Sequence, residues 1–257
     1  MTTVVSCKVI EFGEPTIAAL LRRVEQGEIE ILAPMELTRL GATLTTDRRA
    51  VERMARHAYR APHEAFGPWS ERIWRHSLAR GVAMRLLAER SSARAWVDPA
   101  LAYAAGLLAD VGAPYLLRWW AEGAFGGPPL EGETAGRIAA SVRAHHEAAG
   151  AALLSRWGLD PFTVHLARNH HTERPCYENP YWVLVIIAEI LAKGAAVDPD
   201  LTYSTPLSPE VREACCESAR VSVGELRRLL VQVRVEYQTV RVATDESAIS
   251  EARGGQP

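Results

Sequence analysis

What this sequence lacks narrows it first. Its 257 residues include four cysteines, Cys7, Cys176, Cys215 and Cys216, with no CxxC pair and no zinc-type spacing. A disulfide framework and a thiolate metal site are both unexpected, and the four read as free thiols in a reducing cytoplasm. Charge of one sign is missing as well. Twenty-nine basic and 31 acidic residues leave a net charge of -2, so no global field points to nucleic acid. The arginines of LRRVEQ, DRRAVERMAR and ELRRLLVQVR are interleaved with acids or apolar residues and read as solvated helix faces. Long apolar runs are absent too. The longest spans residues 182–188 and resumes at Ile190, well short of the ~20 residues that cross a bilayer. The opening MTTVVSCKVIEF has neither the basic start nor the apolar stretch of a signal peptide. The expectation is a cytoplasmic protein with no membrane and no nucleic-acid partner.

What is present suits one large domain, with 48% hydrophobic and 23% charged residues. Residues 1–35 stand apart as a small β-α-β element, because VVSCKVIEF and EIEIL are strand-like around a helix-like TIAALLRRVEQ. Residues 36–240 read as helical. Pro62 and the Gly67-Pro68 pair close an early helical stretch. Helices are expected at 70–89 with Ser70 as N-cap, from Asp98-Pro99 toward Asp110 and Gly112, and at 133–157 closed by Gly158. Others follow at 162–171 behind Asp160-Pro161 and from Asn179-Pro180 to Gly194, with two more beyond residue 208. In the last of these, Leu226, Leu229, Leu230, Val233 and Tyr237 form an apolar stripe expected to dock on the domain. Trp119 is expected in the core and Trp120 at its rim, or the reverse. The polar tail, 241–257, reads as disordered. The fold class is all-α, with the N-terminal α/β element as its one exception.

Five histidines and two carboxylates form an ordered series, each on a different helix or at its end: His76, Asp110, His145-His146, His170-His171 and Glu189. Metal sites in helical bundles are built from inward-facing side chains of separate helices. Imidazole and carboxylate donors suit Fe, Mn or Zn, which can supply a bound hydroxide for attack on phosphorus. His76 alone would be an ordinary core histidine. In each pair at most one histidine aims at a given point, since helix neighbours are rotated by about 100°. Glu189 lies in WVLVIIAEILA, apolar on nearly every side, where an ionised carboxylate is costly without a partner. A buried bond to a histidine or arginine, a metal, and simple exposure all remain open.

These segments resemble the HD superfamily, and most closely its HDOD branch. IWRHSLARGVAMRLLAE is similar to the W-x-H-S helix of HDOD domains, and AAGLLADVGAPYLL to their GLLHDIG helix. AHHEAAGAALLSRWGLDPFTVHLARNHH resembles the stretch that ends in their HH pair, and WVLVIIAEILAKG the helix after it. The resemblance covers residues 69–194, about half the chain. It departs at the HD pair, which reads Ala109-Asp110, and at the last aspartate, which is Glu189. HHTERPCYENP carries no GYP motif, unlike cyclic-di-GMP phosphodiesterases of the HD-GYP type. The HDOD patterns DPAL and NSA are not recognisable in residues 1–60.

The resemblance implies an HD-superfamily helical bundle. It implies His76, Asp110, His146, His170 and Glu189 as vestigial metal ligands, with His145 and His171 lining the pocket. Alanine offers no donor at position 109, so the expectation is no cofactor, or at most one divalent ion. The implied function is a non-catalytic regulatory module of bacterial signalling that binds a protein partner or a small ligand. The alternative is a metal-dependent phosphohydrolase acting on a nucleotide or phosphoester. In that reading His76 and Glu189 hold one metal, Asp110 bridges, His146 and His170 hold a second, and His145 or His171 contacts phosphate.

Overall fold

The computed structural model describes residues 51–52, 55–56, 58–60, 66–90, 97–121, 133–171, 179–195 and 209–254, and every regular element among them is helical. The expected β-α-β element at 1–35 lies outside the described residues. After helical residues at 51–52, 55–56 and 58, the chain forms α1 (Gly67–Arg90), α2 (Pro99–Leu108), α3 (Gly112–Ala121) and α4 (Glu133–Arg156). It continues through α5 (Pro161–Asn169), α6 (Pro180–Gly194), α7 (Pro209–Ser218) and α8 (Val223–Gly254).

Local chemistry sets most of these boundaries. Asp98 caps α2 by accepting from the N–H groups of Ala100 and Leu101. Asp160 caps α5 through Phe162 and Thr163, and Asn179 caps α6 through Tyr181. A proline follows each cap, where its missing N–H costs nothing. Gly158, at φ +73°, takes the left-handed turn that ends α4.

Two boundaries differ from expectation. The first helix starts at Gly67 rather than at a Ser70 cap. Pro68 opens the helix instead of breaking it, and Ser70 is buried inside its first turns. The last helix runs to Gly254, through much of the tail expected to be disordered. Ala243, Glu246, Ala248, Glu251 and Ala252 are good helix formers, and no glycine or proline interrupts them before Gly254.

The core is built around α1, which packs against α2, α6 and α8. Trp74, Leu78, Val82 and Leu87 of α1 and Trp182 of α6 are fully buried. The α3–α4 and α4–α5 pairs complete the bundle. As expected, α8 docks: Leu229, Val233 and Tyr237 are buried, while Val231, Val235 and Val242 face outward on its far side. Trp119 is buried and Trp120 sits at the core's edge. The stretch Pro99–Ala121 is long and apolar enough to span a membrane by composition. It is broken into α2 and α3, and 89% of its most apolar window is buried inside the fold.

Two glycine contacts set how closely the helices approach the future site. A methyl on Gly106 would lie 2.7 Å from Met84 Sδ and 3.1 Å from the Gly81 Cα, so α1 and α2 touch through glycine. A methyl on Gly112 would lie 2.0 Å from the His146 carbonyl oxygen and 2.4 Å from the Gly150 nitrogen. The start of α3 is therefore pressed against the backbone of α4. These contacts bring Asp110, in the turn between α2 and α3, beside both α1 and α4.

Candidate functional site

Asp110 is the hub. Its Oδ1 faces three imidazole nitrogens: His170 Nε2 at 2.9 Å, His146 Nε2 at 3.5 Å and His171 Nε2 at 3.9 Å. Its Oδ2 is 2.8 Å from Arg80 Nη1. The same Nη1 is 2.9 Å from Glu189 Oε1, which also meets His76 Nε2 at 3.1 Å. All five expected ligands therefore belong to one connected, buried array. It has two lobes: three histidines about Asp110 Oδ1, and His76 with Glu189 about the Arg80 guanidinium.

Backbone contacts fix how the rings point. His146 Nδ1 is 3.0 Å from the Val142 carbonyl, and His170 Nδ1 is 3.0 Å from the Ala167 carbonyl. A carbonyl can only accept, so each Nδ1 carries the proton and each Nε2 is turned toward Asp110. Metal-binding histidines are ordinarily held in this way, with the outer ring nitrogen donating to a backbone oxygen. At 2.9 Å, His170 Nε2 also donates, so that ring is an imidazolium. Burial disfavours its charge, but the hydrogen bond to Asp110 and the carboxylate charge outweigh burial and raise its pKa. His146 goes the other way. Burial and the neighbouring His170 bring it to about 4, so it is neutral and presents a lone pair. Burial, then His170 and His146, also hold His171 well below the usual histidine range.

The carboxylates are ionised. Burial would raise Asp110, but the Arg80 guanidinium, His170 and His146 hold it well below the usual range. Burial would raise Glu189 too, and His76 and Arg80 outweigh it. Glu189 bonds to both a histidine and an arginine, one of the three readings open for it.

Asp110, His146, His170 and His171 offer one donor atom each, and these atoms lie within 4.8 Å of one another. One carboxylate and three imidazoles suit a divalent ion of the Zn, Fe or Mn kind once His170 gives up its Nε2 proton to the incoming metal. The His171 Nε2 has no hydrogen-bond partner among the described residues, as a waiting ligand would. The cluster is thus compatible with one metal ion.

Two placements depart from the sequence reading, those of His171 and Arg80. His171, expected at the rim, belongs to the cluster. It follows the end of α5 rather than lying within it, so the 100° rotation between helix neighbours does not carry it away. His145 lies mid-helix in α4, where that rotation applies, and is outside the cluster. Arg80 was missed altogether. The signal was its position four residues after His76, in the buried stripe Ile73, His76, Arg80, Ala83 and Leu87.

Comparison with known proteins gives two matches. Residues 54–173 match the family model of the HDOD domain. A crystal structure at 1.90 Å of an HDOD domain protein with unknown function from Geobacter sulfurreducens is similar at 17% identity. The match covers 92% of this chain and 93% of that one, with a TM-score of 0.45. No curated protein matches the sequence.

Proposed function

We propose that this chain is a non-catalytic regulatory HDOD module of bacterial signalling, acting in the cytoplasm by binding a protein partner or small ligand. One observation carries the reading: both oxygens of Asp110 are already committed inside the protein. Oδ2 pairs with Arg80 and Oδ1 with His170, and the side chains of Asp110, Arg80 and His170 are 7%, 0% and 0% exposed. A hydrolytic centre needs open coordination positions for water and substrate. Here the carboxylate that would bridge two metals is already paired with a protein cation at each oxygen. The neighbouring Ala109 is buried and has no donor atom to add.

The test is hydrolysis. The full chain, loaded with Mn²⁺, Fe²⁺ or Zn²⁺, is offered nucleoside phosphates, cyclic dinucleotides and simple phosphoesters. The expected result is no phosphate release above that of the Asp110→Asn variant. Metal-dependent turnover lost in that variant would establish the second reading, a phosphohydrolase. That reading is favoured by the Asp110, His146, His170 and His171 cluster, which could hold one ion and the hydroxide it generates.

A further inference from the structure

Arg80 is fully buried, and its guanidinium bridges two carboxylates, one of which also meets His76. Nη1 lies 2.8 Å from Asp110 Oδ2 and 2.9 Å from Glu189 Oε1, while His76 Nε2 shares that same Glu189 oxygen at 3.1 Å. Nε donates to the Gly106 carbonyl at 2.9 Å, which fixes the plane of the group. Two buried carboxylates cannot both stay ionised without a cation between them. A guanidinium provides one positive charge and directional N–H donors. Two carboxylate oxygens and an imidazole nitrogen are also a donor set for a hard or borderline divalent ion. Glu189 Oε2 and Arg80 Nη2 have no hydrogen-bond partner among the described residues, so the guanidinium fills this seat incompletely.

We propose that Arg80 is a built-in cation, occupying a seat formed by His76, Asp110 and Glu189 that would otherwise accept a divalent metal. Arg80, as well as Ala109, then prevents a two-metal centre. The seat is separate from the cluster of Asp110 Oδ1 with His146, His170 and His171, although the two share Asp110. The proposal deepens the non-hydrolytic reading. Its test counts ions and reads melting temperature, so the two can fail separately.

The experiment compares the full chain with Arg80→Met and Arg80→Met/Glu189→Gln. Each is dialysed against Mn²⁺ and its metal content measured. Arg80→Met is expected to bind one Mn²⁺ per chain more than the parent, and the double variant to return to the parent's count. Saturating Mn²⁺ is expected to raise the Tm of Arg80→Met by about 5–10 °C more than that of the double variant. Should Arg80→Met be unfolded in metal-free buffer, Mn²⁺ is expected to restore its fold. An unchanged ion count, an extra ion retained in the double variant, or failure of Mn²⁺ to restore the fold overturns the proposal.

Discussion

The backbone oxygen of His146 occupies the space that a side chain at Gly112 would need, 2.0 Å from the position of a methyl there. The same contact aligns His146 with Asp110, two residues before Gly112. Replacing Gly112 by alanine must push α3 off α4. Gly112→Ala is expected to cost about 2–3 kcal/mol in urea unfolding, the upper part of the range for overpacking. Gly150→Ala faces the same contact from the other side, but its methyl would meet Gly112 N at a milder 3.3 Å. It is expected to cost less, and the reverse order would show that the close approach is not as described.

Asp160 reaches the site through α5. It caps that helix at 3.0 Å to the N–H groups of both Phe162 and Thr163, and α5 delivers His170 and His171 at its far end. Asp160→Ala is expected to lower stability by about 1 kcal/mol, as for other lost N-caps. Fraying of α5 is also expected to weaken metal uptake by the cluster. Calorimetry and dialysis against Zn²⁺ check the two effects separately.

Much of this fold was legible because its helix boundaries are chemically explicit. Asp98-Pro99, Asp160-Pro161 and Asn179-Pro180 each combine a capping side chain with a proline at the first helical position, and all three mark real helix starts. Gly67-Pro68 misled because a proline in a first turn and a proline after a helix look alike in sequence. The candidate ligands were legible as residue types. Their division into two lobes was not, since that depends on where Asp110 points each oxygen. Arg80 escaped notice because arginine is normally a surface residue, and its burial is offset by Asp110 and Glu189 from distant segments.

Acid should weaken the native state before any site carboxylate protonates. Above pH 6.5 His146 is neutral both folded and unfolded, and its contribution is full. Its folded pKa is about 4, so between pH 6.5 and 4 the unfolded chain takes up a proton that the native state refuses. Stability falls through that window, by about 3 kcal/mol at most for this group. His171, also depressed, acts in the same direction. His170 opposes them, because its raised pKa makes its pairing with Asp110 fully present below pH 6.5 and lost as pH rises through the folded value. In chelator-treated protein, His146→Asn is expected to flatten the fall in unfolding free energy between pH 6.5 and 4. An unchanged slope would remove His146 as its source.

Glu189 should behave as a partner of Arg80 and His76 rather than as an isolated acid. Glu189→Ala leaves the guanidinium with Asp110 alone and is expected to cost about 3–5 kcal/mol, the range for breaking a buried ion pair. Glu189→Gln keeps an acceptor oxygen for Arg80 and His76 and is expected to cost less. Equal losses would mean that the charge, not the contacts glutamine keeps, dominates.

The most direct test of a site half filled by arginine is the metal content of the unaltered chain. Protein purified without chelator and dialysed against excess Mn²⁺ or Zn²⁺ is expected to retain no more than one ion per chain. Any ion retained should disappear in His146→Ala, which removes a donor from the histidine cluster. Two ions per chain would mean that Arg80 yields its place to metal, and would contradict its role as the resident cation of the His76, Asp110 and Glu189 seat.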